Sequence, residues 1–309
     1  PKDLIPERYN INLYLDIKNI EYVVKYDIDI LVNKPTSYLI LNAIPEFYKI
    51  TGINLDIWDI ISDSHHTYGD CKYFYNDDYV LNQLISDFDN NTLDLDVPSK
   101  YKGIINSLKE NKEFIPVEDS VYIELPELVA GDKIKVSIEV KGKLNIDKPV
   151  GFYFSIFGND QILLKNDRNE FMNQWTDDTG NERLLKNAVF TCICEPVDYR
   201  KVFPCFDEPS FKSKFNMNIS YEKKYHNNFF RTVSNGDLLD TTINEDIVTH
   251  KFSESPLMSI YLLTWTLGYY EYLETISGKI RIRVYTPLSN HGEGSFGLDV
   301  AKRALDFFQ

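Results

Sequence analysis

Residues able to do chemistry concentrate between 190 and 215, in the run FTCICEPVDYRKVFPCFDEPSFKSKF. Phe190, Cys192 and Cys194 alternate with Thr191, Ile193 and Glu195, the period-two pattern of a short strand ending in a carboxylate. That carboxylate has two readings: an internal ion pair with Arg200, or an acceptor offered to a ligand. Beyond it, Pro196, Pro204 and Pro209 interrupt regular structure. Asp198, Arg200, Lys201, Asp207, Glu208 and Lys212 crowd among Tyr199, Phe203, Phe206 and Phe211, the makings of a packed, ion-paired corner.

Other constellations fail on spacing. A helical zinc site needs His-Glu-x-x-His so that two imidazoles share one face, and His65, His66, His226, His250 and His291 supply no such pattern. His65 and His66 are adjacent and point to opposite faces of a strand. His291-Gly292-Glu293 lacks the Pro-Cys-x-x-Cys that completes a zinc deaminase, and reads as a turn before a helix. Asp87, Asp89 and Asn91 imitate a calcium loop, but Thr92 stands where the turn needs Gly and Pro98 where a bidentate Glu would close it. Cys192 and Cys194 could hold a soft metal, yet two small apolar side chains on a buried strand face account for them. No catalytic residue and no metal ligand is assigned to this chain.

The elements that must position Glu195 are strands. Tyr9, Ile11, Leu13, Leu15 and Ile17 alternate with mostly polar residues, and Tyr22, Val24, Tyr26, Ile28 and Ile30 repeat the pattern. Further strands are expected at 36–41, 50–57, 121–125, 133–144, 150–157, 214–221, 229–233, 247–252, 260–270 and 279–285, with Pro35, Pro45, Gly52, Gly131 and Ser234-Asn235-Gly236 as punctuation. The fold class is therefore all-β, a large antiparallel sandwich or saddle-shaped sheet. From Trp58 to Pro116 the texture turns to Asp, Asn, Tyr and Lys, read as an insertion or long hairpin loops. From Ser295, Ala301, Ala304, Leu305 and Phe308 fall at helical spacing, and the pattern reaches Gln309 without a C-cap, so the helix is expected to continue. Residues 1–286 are read as one β domain and 287–309 as a linker and the first helix of a following domain.

At 309 residues and 43% apolar content, the chain can fill a real core. Its formal charge of −14 and lack of a clustered basic run disfavour nucleic acid and anionic membrane as partners. Cys71, Cys192, Cys194 and Cys205 do not form a disulfide framework, which favours a reducing, cytoplasmic location. No targeting pattern opens the sequence, and Pro1 in first place suggests that a segment is missing ahead of it. The longest apolar run, Leu257 to Leu273, is broken by Ser259, Thr264, Thr266, Gly268 and Glu271, so it reads as buried strand rather than the ~20 clean residues of a membrane span.

The order of residues from Glu195 to Pro209 resembles the Glu-Pro-x-x-Ala-Arg-x-x-Phe-Pro-Cys-Phe-Asp-Glu-Pro run of one family, with Tyr199 replacing the small residue. That family is the aminopeptidase N and puromycin-sensitive aminopeptidase group of zinc metallopeptidases, the gluzincins. Pro6-Glu7-Arg8-Tyr9 and the segment Ser255 to Leu263 with Trp265 and Gly268 are similar to it as well. Leu39 to Ala43, Gly151 to Tyr153, Ser234-Asn235 and Arg281 to Thr286 fall at the family's intervals; the 58–116 island matches poorly.

The resemblance implies an amino-terminal domain that packs on a downstream catalytic domain of the same chain, where two His and one Glu would hold zinc. It implies that Glu195 reaches the cleft and accepts hydrogen bonds from the substrate's α-amine, since an exopeptidase must recognise a peptide N-terminus. The family has Gln where Ile193 stands, lining the pocket for the first substrate side chain, so this chain departs toward apolar residues. The fragment alone would be inactive. Two alternatives stay open: a non-catalytic scaffold relative of the same fold, and a free-standing β-sandwich binding module.

Overall fold

The computed structural model describes residues 3–75, 119–146, 148–156, 187–290 and 292–308. The first strands are β1 (Leu4–Asp16), β2 (Glu21–Val32), β3 (Tyr38–Asn42), β4 (Tyr48–Asp59), β5 (Ser64–Tyr68) and β6 (Tyr73–Tyr75). Then come β7 (Ser120–Glu124), β8 (Lys133–Lys143), β9 (Gly151–Ile156), β10 (Ala188–Ile193), β11 (Lys212–Glu222) and β12 (Phe230–Ser234). β13 (Leu238–Asn244), β14 (Ile247–Phe252), β15 (Met258–Ser259), β16 (Trp265–Ser277), β17 (Ile280–Pro287) and helix α1 (Ser295–Phe308) complete them. This is an all-β fold.

Alternation drives the large sheet. Tyr9, Ile11, Leu13 and Leu15 of β1 are each at most 1% exposed, and Val24, Ile28, Val136 and Val140 on the neighbouring strands are equally dry. The face they cover packs against the second sheet, and the polar alternates meet water. The large sheet runs β13-β14-β11-β1-β2-β8-β4-β5, with β15 on β11. Its neighbours are antiparallel except β1 and β11, which run parallel with Tyr9 opposite Phe215. A parallel pair needs a long crossover, which the intervening chain supplies. Asn216 and Asn218 donate side-chain hydrogen bonds of 2.9 Å each to Asn10 and Asn12 across that pair.

A second sheet runs β12-β16-β10-β9 with β17 on β16, and a third runs β3-β7-β6. Phe152 from the second sheet meets Tyr22 of the first, the rings lying 5.3 Å apart, and Trp265 packs edge-on against Phe152. Packing at Tyr22 leaves no room on β8: a Cβ on Gly142 would sit 2.3 Å from the ring, so only glycine fits there. Helix α1 lies on β16 and β17, where Ser277 hydrogen-bonds Asp306, while Phe296, Phe307 and Phe308 remain more than three-quarters exposed.

Edge strands and one broken strand add detail to the sequence reading. The described part of the 58–116 stretch, residues 58–75, holds the end of β4, the β5 hairpin and β6; the Asp59 carboxylate caps the hairpin turn by accepting from the Ile61 and Ser62 N–H groups. An edge strand wet on both sides shows no alternation, which hid β5 and also β13. The run from Leu257 to Leu273 is not one strand: a 3-10 turn at Ile260–Leu262 separates β15 from β16. Asn235 fixes that break, its amide donating to Leu262 O and accepting from Thr264 N–H. The calcium-like residues 87–92 and His291 lie outside the described residues.

Candidate functional site

β10 carries the site. It pairs with β16 through Val189–Cys192 and with β9 along its whole length, Ile193 lying opposite Gly151. The predicted alternation holds past the last hydrogen-bonded residue: Phe190, Cys192 and Cys194 are fully buried, while Ile193 is half exposed and Glu195 exposed. Glu195 opens a turn closed by Asp198 N–H donating to Cys194 O at 2.9 Å, and the Glu195–Pro196 peptide is cis. Tyr199 ends the turn with its ring in the core and its hydroxyl donating to Leu263 O. Ile193, Glu195 and Val197 thus form a small exposed ledge at the strand end.

The corner from Arg200 to Asp207 is held from below by tyrosines of the large sheet. Tyr22 donates to Val202 O at 2.8 Å, Tyr26 to Pro204 O at 2.6 Å and Tyr48 to Arg200 O at 3.1 Å. The Tyr9 hydroxyl accepts from Phe206 N–H at 3.2 Å. Burial pushes all four phenols well above their ordinary range, so they serve as neutral hydrogen-bonding groups. Asn42 exchanges backbone hydrogen bonds with Cys205, and its side-chain oxygen accepts from Asp207 N–H. These tyrosines stand out in the sequence only as core residues; a buried tyrosine needs a hydroxyl partner, and that was the available signal.

Arg200 is consumed inside the corner. Its Nε lies 3.0 Å from Asp207 Oδ2, its own N–H also reaches that carboxylate, and Asp119 sits 3.7 Å away. The internal-pair reading of Glu195 with Arg200 therefore gives way, and among the described residues no side chain hydrogen-bonds or ion-pairs with Glu195. Cys192 and Cys194 have sulfurs 3.4 Å apart, both unpaired, and burial raises the Cys194 thiol, which suits a packing role rather than a thiolate ligand. No group of three His, Cys, Asp or Glu side chains suited to a metal occurs among the described residues, so these do not fit a zinc ion.

The described residues thus form an all-β domain of three sheets with an exposed carboxylate on a braced strand end. The chain belongs to the Peptidase M1 N-terminal domain family, which matches residues 5–262. It is similar to aminopeptidase M1-A of Oryza sativa subsp. japonica, 24% identical over 305 residues, covering 98% of this chain and 26% of that protein. Puromycin-sensitive aminopeptidase of Caenorhabditis elegans is 31% identical over 192 residues, 60% of this chain and 17% of that protein. Aminopeptidase M1-B of rice is 37% identical over 117 residues, 37% of this chain and 13% of that protein. The chain thus spans about a quarter or less of the relatives it matches.

Proposed function

We propose that this chain is the amino-terminal domain of a zinc-dependent aminopeptidase that removes single residues from peptide N-termini. In this reading it packs on the catalytic domain of the same protein, with residues 287–309 forming the linker and first helix; the exposed Phe296, Phe307 and Phe308 support that contact. Zinc belongs to the catalytic domain and would polarise the scissile carbonyl and activate water there.

The chain's own part is recognition. Glu195 accepts hydrogen bonds from the α-ammonium, and charge-assisted bonds of this kind are about twice as strong as neutral ones. Ile193 borders the pocket for the first side chain and offers it only apolar contact. The observation that carries the reading is that Glu195 stands exposed and unpartnered among the described residues while the adjacent Arg200 is held by Asp207. Unpaired cysteines support a cytoplasmic setting, and no described helix is long and apolar enough to cross a membrane.

The test is Glu195→Ala in the full-length protein. A hydrogen bond to a charged group is worth about 1.5–3 kcal/mol, so kcat/KM should fall roughly ten- to a hundredfold. An unchanged kcat/KM contradicts the assignment.

A further inference from the structure

A cleft of about 1190 Å³ opens between the β12–β16–β17 sheet and the β13–β14 edge of the large sheet. Its sign is opposite to that of the chain, which carries −14 overall. Arg281 and Arg283 stand at alternate positions along β17 and line it, joined by Lys279 in the turn before that strand and by Arg231 of β12. The guanidiniums of Arg231 and Arg283 lie 5.0 and 4.6 Å from the centre of the Tyr272 ring, which ties both to β16. Against these cations stand Glu274, 2.6 Å from Arg283 and 3.8 Å from Arg281, and Asp237 on the lining. Four cations facing two carboxylates leave an excess of positive charge. Thr232, also on the lining and 8% exposed, has a hydroxyl with no partner among the described residues.

We propose that this cleft binds an extended acidic peptide segment. Side chains at alternate positions of a strand repeat every ~7 Å, so Arg281 and Arg283 of β17 match acidic residues spaced two apart on an extended partner, and Lys279 in the preceding turn extends the cationic row. At about 1190 Å³ the open cleft has room for more than a single small anion. The strongly negative charge of the protein as a whole opposes a long nucleic acid. The site is separate from Glu195 and stands or falls independently of the aminopeptidase reading.

The probe is an N-acetylated, fluorescein-labelled peptide alternating Glu and Ser, titrated with the full-length protein by anisotropy; acetylation removes any contribution from α-amine recognition. Binding should weaken as salt rises. It should weaken roughly tenfold or more in Lys279→Gln/Arg281→Gln, whose two side chains are exposed. It should hold in Lys133→Gln/Lys212→Gln, on a separate basic groove beside Arg8, and in Glu195→Ala. Matching thermal melts check folding, and Lys279→Gln alone, at the hairpin turn, repeats the test with one change. Equal binding of a Gln-Ser peptide, or equal weakening by both double variants, overturns the site. Displacement of the peptide by lower concentrations of tripolyphosphate or oligothymidylate overturns the ligand class.

Discussion

Arg200 Nε lies 3.0 Å from Asp207 Oδ2, and the Asp207 residue is only 2% exposed. Burial pushes the Asp207 carboxyl up and Arg200 opposes it, so the guanidinium is what keeps a buried charge tolerable. Replacing Arg200 by Met should destabilise the protein by about 3–5 kcal/mol in urea unfolding, because an unpaired buried carboxylate remains. Adding Asp207→Asn should recover part of that loss.

The tyrosine hydroxyls under the corner give a second expectation. Tyr26→Phe leaves Pro204 O without its 2.6 Å donor inside the core. Such a change costs roughly 1–3 kcal/mol, and amide hydrogen exchange at 202–206 should quicken before global unfolding does. Unaltered exchange there would mean that the hydroxyl does not brace the corner.

His250 makes stability depend on pH. It sits with Nε2 2.9 Å from the Tyr221 hydroxyl and Nδ1 3.1 Å from Thr241 Oγ1, and burial together with His226 lowers its pKa to about 4 from 6.5. The unfolded chain binds the proton more readily, so stability rises with pH across that window and is lost as pH falls from 6.5 toward 4. The Tm should drop on acidification through this range, and His250→Gln should flatten the part that His250 contributes.

Ile193 is half exposed beside Glu195 and presents no hydrogen-bonding group. Ile193→Gln should raise kcat/KM for substrates with polar first residues relative to apolar ones by about tenfold, the worth of one hydrogen bond. A selectivity profile identical to that of the parent would remove Ile193 from the pocket.

Strands that bury one face were legible in the sequence, because Tyr9 to Leu15 and Ile134 to Val140 write their burial as alternation. β5 and β13 were not, since an edge strand wet on both faces has nothing to alternate. The exposed position of Glu195 followed from its register with Ile193. Its freedom did not: that depended on Asp207, seven residues beyond Arg200 and reached only by the fold of the proline-rich corner. The cationic stripe of Lys279, Arg281 and Arg283 was present as period-two spacing, but its meaning required Arg231 and Tyr272 from other strands.

The central claim is that Glu195 reads an α-ammonium. The most direct measurement is the affinity of the full-length protein for a non-hydrolysable dipeptide analogue and its des-amino counterpart, in the parent and in Glu195→Gln. The account predicts that the parent prefers the amine by roughly ten- to a hundredfold and that Glu195→Gln largely abolishes the preference while hardly altering binding of the des-amino compound. An undiminished preference for the amine in Glu195→Gln would contradict it.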